Sequence, residues 1–150
     1  MRVLLQRVEN AKVVVELKTV GEIGPGLLLF LGIGLDDFKE DIEWLCGKIL
    51  SLRIFSDEKD LMNKSILDTR GEILLISQFT LFAQTKKGNR PGFTGAARPQ
   101  FAIPLYESFR ERLEKSLGKK IETGVFGADM KVHLVNDGPV TLFMDSRNKE

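Results

Sequence analysis

The chain is poor in the residues that most often announce chemistry. Its 150 residues include one cysteine, one histidine, one tryptophan and one tyrosine. A single cysteine, Cys46, excludes an intramolecular disulfide and fits a reducing compartment. Neither it nor His133 stands in zinc-site spacing, and no acidic cluster suggests a magnesium site. No apolar run approaches the ~18 residues of a membrane span. The opening MRVLLQRVENAKVVV alternates like a strand and is too short in its apolar run for a signal peptide. An excess of one charge is missing too: 22 basic residues face 21 acidic ones, a net +1. Such a surface is not coated for indiscriminate binding to nucleic acid, although a local basic patch can still dock a phosphate backbone. There is no nucleophile elbow, no P-loop and no G-x-G-x-x-G. The GIG at residues 32–34 lacks the third glycine and reads as a tight connection. The expectation is a cytoplasmic protein with no metal, no cofactor, no membrane partner and no DNA partner.

What is present is ordinary for one globular domain covering residues 1–150: 43% hydrophobic and 29% charged residues, enough for a proper core. Residues 3–8 and 11–16 read as two strands with a turn at Glu9-Asn10. The run LLLFLGI, residues 27–33, reads as a strand buried on both faces. Asp36-Asp37 opens a helix, with Asp37 and Glu40 as a capping box and Phe38, Ile42, Leu45, Ile49 and Leu52 on one stripe. Residues 53–55 read as a short strand and residues 56–65 as a loop. Residues 66–68 and 72–82 read as paired strands around Arg70-Gly71. A second helix carries Phe101, Leu105, Phe109, Leu113 and Leu117, with Pro104 confined to its first turn. Met130, Val132 and Leu134 alternate as a strand, and residues 140–144 form another after NDGP. The fold class expected is α+β: mainly antiparallel curved sheets, barrel-like, with two flanking helices in a single domain.

Few stretches offer chemistry. His133 alternates with Lys131 and Val135 and reads better as an exposed strand residue than as a general base. Cys46, beside Leu45 in the first helix, reads as packing. The loop QTKKGNRPGFTGAARP carries Lys86, Lys87, Arg90 and Arg98 around Phe93. It is either a solvated loop or a surface for phosphate or a single-stranded nucleic-acid end. In ISQFTLFAQT, the polar Ser77, Gln78 and Thr80 interrupt an apolar run. Unpaired burial of such groups costs about 1–3 kcal/mol each, so they face either neighbouring backbone or something the protein binds. The NDGPVT stretch, residues 136–141, is turn chemistry at the least.

Taken together, SQFTL and NDGPVT resemble the two signatures of the D-aminoacyl-tRNA deacylases of the common bacterial and eukaryotic type, S-Q-F-T-L and N-x-G-P-V-T. The likeness runs end to end, through MRVLLQRV, GEIGPGLLLFLGI, NRPGFTGAARP and GVFGADM. It implies hydrolysis of the ester between a D-amino acid, or glycine, and the terminal ribose of tRNA. It implies a homodimer with the active site at the subunit interface. Ser77, Gln78, Phe79 and Thr80 of one subunit would then line the catalytic side, with backbone N–H groups near Phe79 and Thr80 stabilising the oxyanion. Gly138 and Pro139 of the other subunit, joined by a cis peptide, would reject L-amino acids by a clash. Arg7 would orient that segment, Asn136, Asp137 and Thr141 would brace it, and Met130 with Gln78 would stand at the adenosine or pocket wall. Thr80 would position substrate, with the free 2′-hydroxyl of the terminal adenosine helping to activate water. Two other readings stay open: a non-catalytic dimer that holds tRNA or a synthetase, and a less selective esterase of small aminoacyl esters.

Overall fold

The computed structural model describes residues 1–149. Its spine is one long strand, β1 (Arg2–Val15). On one edge β1 pairs first with β3 (Gly26–Gly32) and then with β2 (Lys18–Ile23), both antiparallel. On its other edge it pairs along almost its full length with β8 (Lys131–Asp145). The sheet continues from β3 to β6 (Glu72–Ser77) and β7 (Glu122–Thr123), both in parallel. Parallel neighbours need crossovers. Here α1 (Lys39–Ser51) lies between β3 and β6, and α3 (Pro99–Leu117) between β6 and β7. The small pair β4 (Phe55–Ser56) and β5 (Met62–Lys64) and the one-turn α2 (Ile66–Thr69) complete the chain. The sheet curls until its ends abut: a Cβ built on Gly21 of β2 would stand 2.7 Å from the Thr123 carbonyl oxygen of β7. This is the α+β, barrel-like single domain expected, with a third, very short helix added.

Alternation explains why β3 and β6 read as unbroken apolar runs. Leu27, Leu29 and Leu31 of β3, with Ile73 and Leu75 of β6, face a core shared with Leu45 and Ile49 of α1 and Phe109 and Leu113 of α3. Leu28, Leu74 and Ile76 point the other way, into a second core with Val8, Ala11, Val13 and Ile23. Each fully buried side chain of this kind contributes about 1.5–3 kcal/mol. β1 serves both cores because its alternation slips: Val3, Leu5 and Arg7 are buried, then Val8, Ala11 and Val13. Its pairing with β8 shifts register between Gln6 and Val8 and again between Val8 and Asn10, the mark of bulges.

Several local expectations are corrected. Glu9-Asn10 is no turn; it lies inside β1, and the hairpin turn comes later, at Glu16 and Leu17, both with φ above zero. A two-residue link with both residues in that region matches the strand twist, which type I turns do not. The run at 66–68 is helix α2, set by a capping box in which Ser65 accepts from the Asp68 N–H and the Asp68 carboxylate accepts from the Ser65 N–H at 2.8 Å. At α1 the cap is Asp41, which accepts from the Phe38 N–H at 2.8 Å. Asp37 instead takes the Gly34 N–H at 2.6 Å and pairs with the Met1 ammonium at 2.5 Å, while Phe38 is exposed. Asp41 is buried, which opposes ionisation. The Ser146 hydroxyl and Phe38 N–H nevertheless hold its carboxyl below the usual range, helped by the Met1 ammonium and Arg147. In α3 the inward stripe is Ala102, Tyr106, Phe109 and Leu113, with Phe101 exposed. Pro104 lies inside the helix, in its second turn, where it removes one backbone donor and its ring faces the Gln100 carbonyl. Cys46 is buried among apolar neighbours, and this burial pushes its thiol up to about 12.

The β3–β6 pairing starts at Gly26, opposite Glu72. A Cβ there would stand 1.9 Å from the Glu72 carbonyl oxygen and 2.7 Å from its carbonyl carbon. Backbone cannot yield as a side chain does, so Gly26→Ala is expected to destabilise by about 3 kcal/mol or more. Urea unfolding monitored by circular dichroism checks this; a midpoint equal to the parent's would show that the two strands separate easily.

Candidate active site

β6 ends at Ser77, the last residue in register with β3, opposite Leu31. The Gln78 N–H still donates to the Leu31 carbonyl at 2.8 Å. Then the chain leaves the sheet. The expected strand to residue 82 is instead a 3₁₀ turn over Phe79–Phe82. Its Leu81 N–H donates to the Gln78 carbonyl and its Ala83 N–H to the Thr80 carbonyl, at 3.3 and 3.0 Å. The first N–H groups of such a turn, those of Phe79 and Thr80, have no acceptor within it. The turn is held from behind by Arg2, whose guanidinium donates to the Leu81 carbonyl at 2.9 Å and lies over the Phe82 ring at 4.5 Å. Gly34 makes room for that ring: a Cβ there would meet it at 2.9 Å.

In front of the turn lies a cleft of about 580 Å³. It is lined by Ser77, Gln78 and Phe79, by Phe126, Met130 and Val132, and by Phe93 with Arg98 and Pro99 at the start of α3. Four of the expected residues, Ser77, Gln78, Phe79 and Met130, therefore share one cavity. Thr80 does not line it, but the Gln78 side-chain amide donates to the Thr80 hydroxyl. Phe79, more than half exposed, packs edge-on against Phe93 with ring centres 5.1 Å apart. The cleft's ionisable side chains are Arg98 and Asp129, and Asp129 is paired with Lys131 at 2.8 Å. His133 is exposed and is not in the lining. Among the described residues no group of three or more His, Cys, Asp or Glu is placed to hold a metal.

The NDGPVT residues lie elsewhere. They interrupt no strand; they are a bulge within β8. Gln6 stands opposite Thr141 and Val8 opposite Asn136, so residues 137–140 all face Arg7 alone. Asn136 closes the neck of the bulge: its amide donates to the Arg7 carbonyl at 2.9 Å and to the Val140 carbonyl at 3.1 Å. The Thr141 hydroxyl donates to the Asn136 side-chain oxygen at 3.3 Å and accepts from Gln6 at 3.2 Å. Arg7 is buried beneath it. One guanidinium nitrogen donates to the Ile54 carbonyl at 2.5 Å, and Nε lies 2.9 Å from the Asp137 carboxylate. That Nε contact pairs charges without hydrogen-bond alignment. The Gly138–Pro139 peptide is cis, and Gly138 has φ +117°. A Cβ on Gly138 would stand 2.7 Å from Arg7 Nη2. Both Gly138 and Pro139 are exposed, and neither they nor Arg7, Asn136, Asp137 or Thr141 line the cleft of their own chain.

Several contributors escaped the sequence reading. Phe126, Val132 and Pro99 build the wall, and Arg2 braces the turn. Tyr106 ties α3 to β6 by donating to the Leu75 carbonyl at 2.9 Å and packs edge-on against Phe126 at 5.7 Å. Burial raises its phenol well above the usual range, with Glu107 adding to the effect, so it stays a neutral donor. The one available signal was the GVFGADM stretch, whose Phe126 and Met130 both reach the cleft.

The family model for D-Tyr-tRNA(Tyr) deacylase matches residues 4–145. A D-aminoacyl-tRNA deacylase of Flavobacterium johnsoniae is 59% identical over 150 residues, covering 100% of both chains. One of Chromobacterium violaceum is 56% identical over 150 residues, again with 100% of both chains covered. A solved chain described as c-Myc DNA unwinding element binding protein superposes with a TM-score of 0.92 at 42% identity, over 97% of this chain and 98% of that one. Another, from a structural analysis of a probable eukaryotic D-amino acid tRNA deacylase, gives 0.81 at 18% identity over 95% and 97%, a likeness of fold. With the family model spanning nearly the whole chain and full-length relatives well above half identical, the chain belongs to the D-Tyr-tRNA(Tyr) deacylase family of ester-bond hydrolases.

Proposed function

We propose that the cleft in front of the 3₁₀ turn binds the aminoacylated end of tRNA and hydrolyses the ester of D-amino acids and of glycine, in a homodimer of the cytoplasm. The observation that carries this reading is the pair of N–H groups at Phe79 and Thr80. They open a turn with no acceptor inside it, beside Ser77, Gln78 and Phe79 in the cleft wall. Water attacks the ester carbonyl, whose oxygen takes the negative charge. Two fixed donors at that oxygen lower the barrier by about 3–4 kcal/mol. The C–O bond to the ribose then breaks, and the ribose oxygen leaves with a proton.

The lining offers no free base for the water. Arg98 is a cation and Asp129 is occupied by Lys131. The free hydroxyl beside the ester on the ribose fills that role, so the substrate supplies what the protein lacks. Thr80 is unsuited to be a nucleophile, because its hydroxyl accepts from the Gln78 amide and has no base beside it. Phe126, Met130 and Val132 make an apolar wall suited to the face of a terminal base.

Chirality needs a second copy. Gly138 and Pro139 do not line their own chain's cleft, and their bulge is exposed. Their carbonyls act on the partner's cleft, where they occupy the space an L side chain requires. A rigid backbone wall rejects the wrong hand by clash without reading any side chain. The exposed Val135 and Phe143 on the same strand offer apolar area for the contact.

Three measurements test this. The purified protein, without added metal, is expected to release D-tyrosine from tRNA at least about 100-fold faster than L-tyrosine, a difference of about 2.7 kcal/mol. Equal rates would discard the filter, and no hydrolysis of either would discard the enzyme. Thr80→Ala is expected to keep turnover within about tenfold; a nucleophile's removal costs far more, on the order of 10⁴-fold or beyond. Gly138→Ala forces the bulge off Arg7, at a positive φ that suits glycine. Its cost in stability is about 1–3 kcal/mol, whereas the ratio of kcat/KM for D over L esters is expected to fall at least about tenfold, about 1.4 kcal/mol. An unchanged ratio would mean the bulge takes no part in selection.

A further inference from the structure

We propose that the basic hairpin of residues 84–92 is the docking surface for the phosphate backbone of the RNA next to its esterified end; this rests on the reading of the cleft above. Charge is segregated along this chain. Four of its 22 basic residues and none of its 21 acidic ones fall between residues 84 and 98, so the rest carries 18 against 21, a net −3. Elsewhere acidic residues are interspersed with the basic ones, and several surface cations are paired: Lys64 with Glu58, Arg110 with Glu107 and Glu114, Arg112 with Glu43, Lys131 with Asp129. Lys86, Lys87, Arg90 and Arg98 have no ion-pair partner among the described residues. A segment with four cations and no acid, on a chain that is otherwise slightly acidic, marks a place where an anion is to come from outside.

The hairpin is built, not merely exposed. Gln84 and Gly92 exchange backbone hydrogen bonds at 2.7 and 3.0 Å, and the Thr94 hydroxyl donates to the Gln84 side chain at 3.1 Å. Lys86, Lys87 and Arg90 then surround a concavity of about 470 Å³ with Gln84 and Gly92. Ammonium groups act there as point charges and the guanidinium as a fork, the combination that suits phosphate oxygens. This concavity ends at Gly92, and the next residue, Phe93, lines the catalytic cleft against Phe79. Arg98 lines that cleft too. The linings of the two cavities therefore meet along the chain at the Gly92–Phe93 peptide. One polyanion with an esterified end fits both: its terminal nucleoside lies in the apolar cleft, and the phosphates behind it pass onto Lys86, Lys87 and Arg90.

The test compares two substrates and two variants. The substrates are D-tyrosyl-tRNA and the D-tyrosyl ester of adenosine, which has no phosphate. The variants are the triple Lys86→Ala/Lys87→Ala/Arg90→Ala and the charge-keeping Lys86→Arg/Lys87→Arg. For the triple variant we expect KM for D-tyrosyl-tRNA to rise roughly 10- to 100-fold at moderate salt, with kcat little changed. The slope of log affinity against log salt for uncharged tRNA should fall by about 2–3. KM for the adenosine ester should stay at the parent value, and the charge-keeping variant should bind tRNA like the parent. A triple variant with the parent's KM and salt slope overturns the proposal, as does an equal KM rise on the adenosine ester, which would put the defect in the cleft. Failure of the cleft reading looks different: the parent itself would then hydrolyse neither ester.

Discussion

One hydrogen bond decides where this molecule can do chemistry. The Gln78 N–H, bonded to the Leu31 carbonyl, is the last rung between β6 and β3. Up to that point β6 runs in register with β3, and Ile73, Leu74, Leu75 and Ile76 alternate between the two cores. Beyond it the chain turns across the sheet end, and the next two N–H groups are left pointing out of the hydrogen-bond ladder. The glycines at 32 and 34 let the turn pack down, since a Cβ at either would press on Leu81 or Phe82. Open ends of parallel strands are where α/β sheets place ligands. The same logic applies here although only two neighbouring pairs of the sheet are parallel.

The bulge of residues 137–140 obeys a different constraint. A four-residue bulge in the middle of a strand would collapse unless something filled the gap behind it. Arg7 is that filling. It is a buried cation, and a buried cation is costly unless paired and hydrogen-bonded. The Ile54 carbonyl and the Asp137 carboxylate meet that need. The bulge and the arginine therefore hold each other in place: Asp137 is available only because the bulge exists, and Gly138 can pass so close only because it lacks a side chain. Asn136 locks the arrangement by bonding both strands at once.

How much of this was legible in the sequence follows from what periodicity can and cannot encode. The doubly buried β3, the α1 stripe of Ile42, Leu45 and Ile49, and the pairing of Ser77, Gln78, Phe79 and Met130 with one site could all be read from pattern and signature. The 3₁₀ turn could not, because Phe79, Leu81 and Phe82 continue an apolar run that looks like strand whether it is buried or bent into a cleft wall. Strong turn residues misled in both long strands. Glu9-Asn10 and Asn136-Asp137-Gly138-Pro139 have turn chemistry, but the pairing of β1 with β8 resumes beyond them, so they are spent as bulges. The short α2 was missed because four residues carry no period at all; its signal was the Ser65 and Asp68 pair. The distance between the two signatures within one chain has no trace in sequence either.

A site of this kind distributes binding unevenly. An enzyme that must accept many D-amino acids gains little by gripping their side chains, and the groups proposed at the reacting centre are backbone donors, which would hold the ester but add little affinity for any one residue. The filter proposed for the bulge would add rejection, and rejection contributes nothing to holding the right substrate. Affinity must then come from the part that all substrates share, the RNA. On the proposed reading Phe126, Met130 and Val132 offer the terminal nucleoside an apolar seat, and a base stacked on an aromatic ring such as Phe126 gains about 1–3 kcal/mol. On that reading the remainder is electrostatic and falls on the phosphates that every substrate shares, which bind equally in the ground and transition states and so set affinity without choosing among amino acids. Unpaired cations set just beyond the cleft, on a chain that is otherwise slightly acidic, are the arrangement this requirement selects.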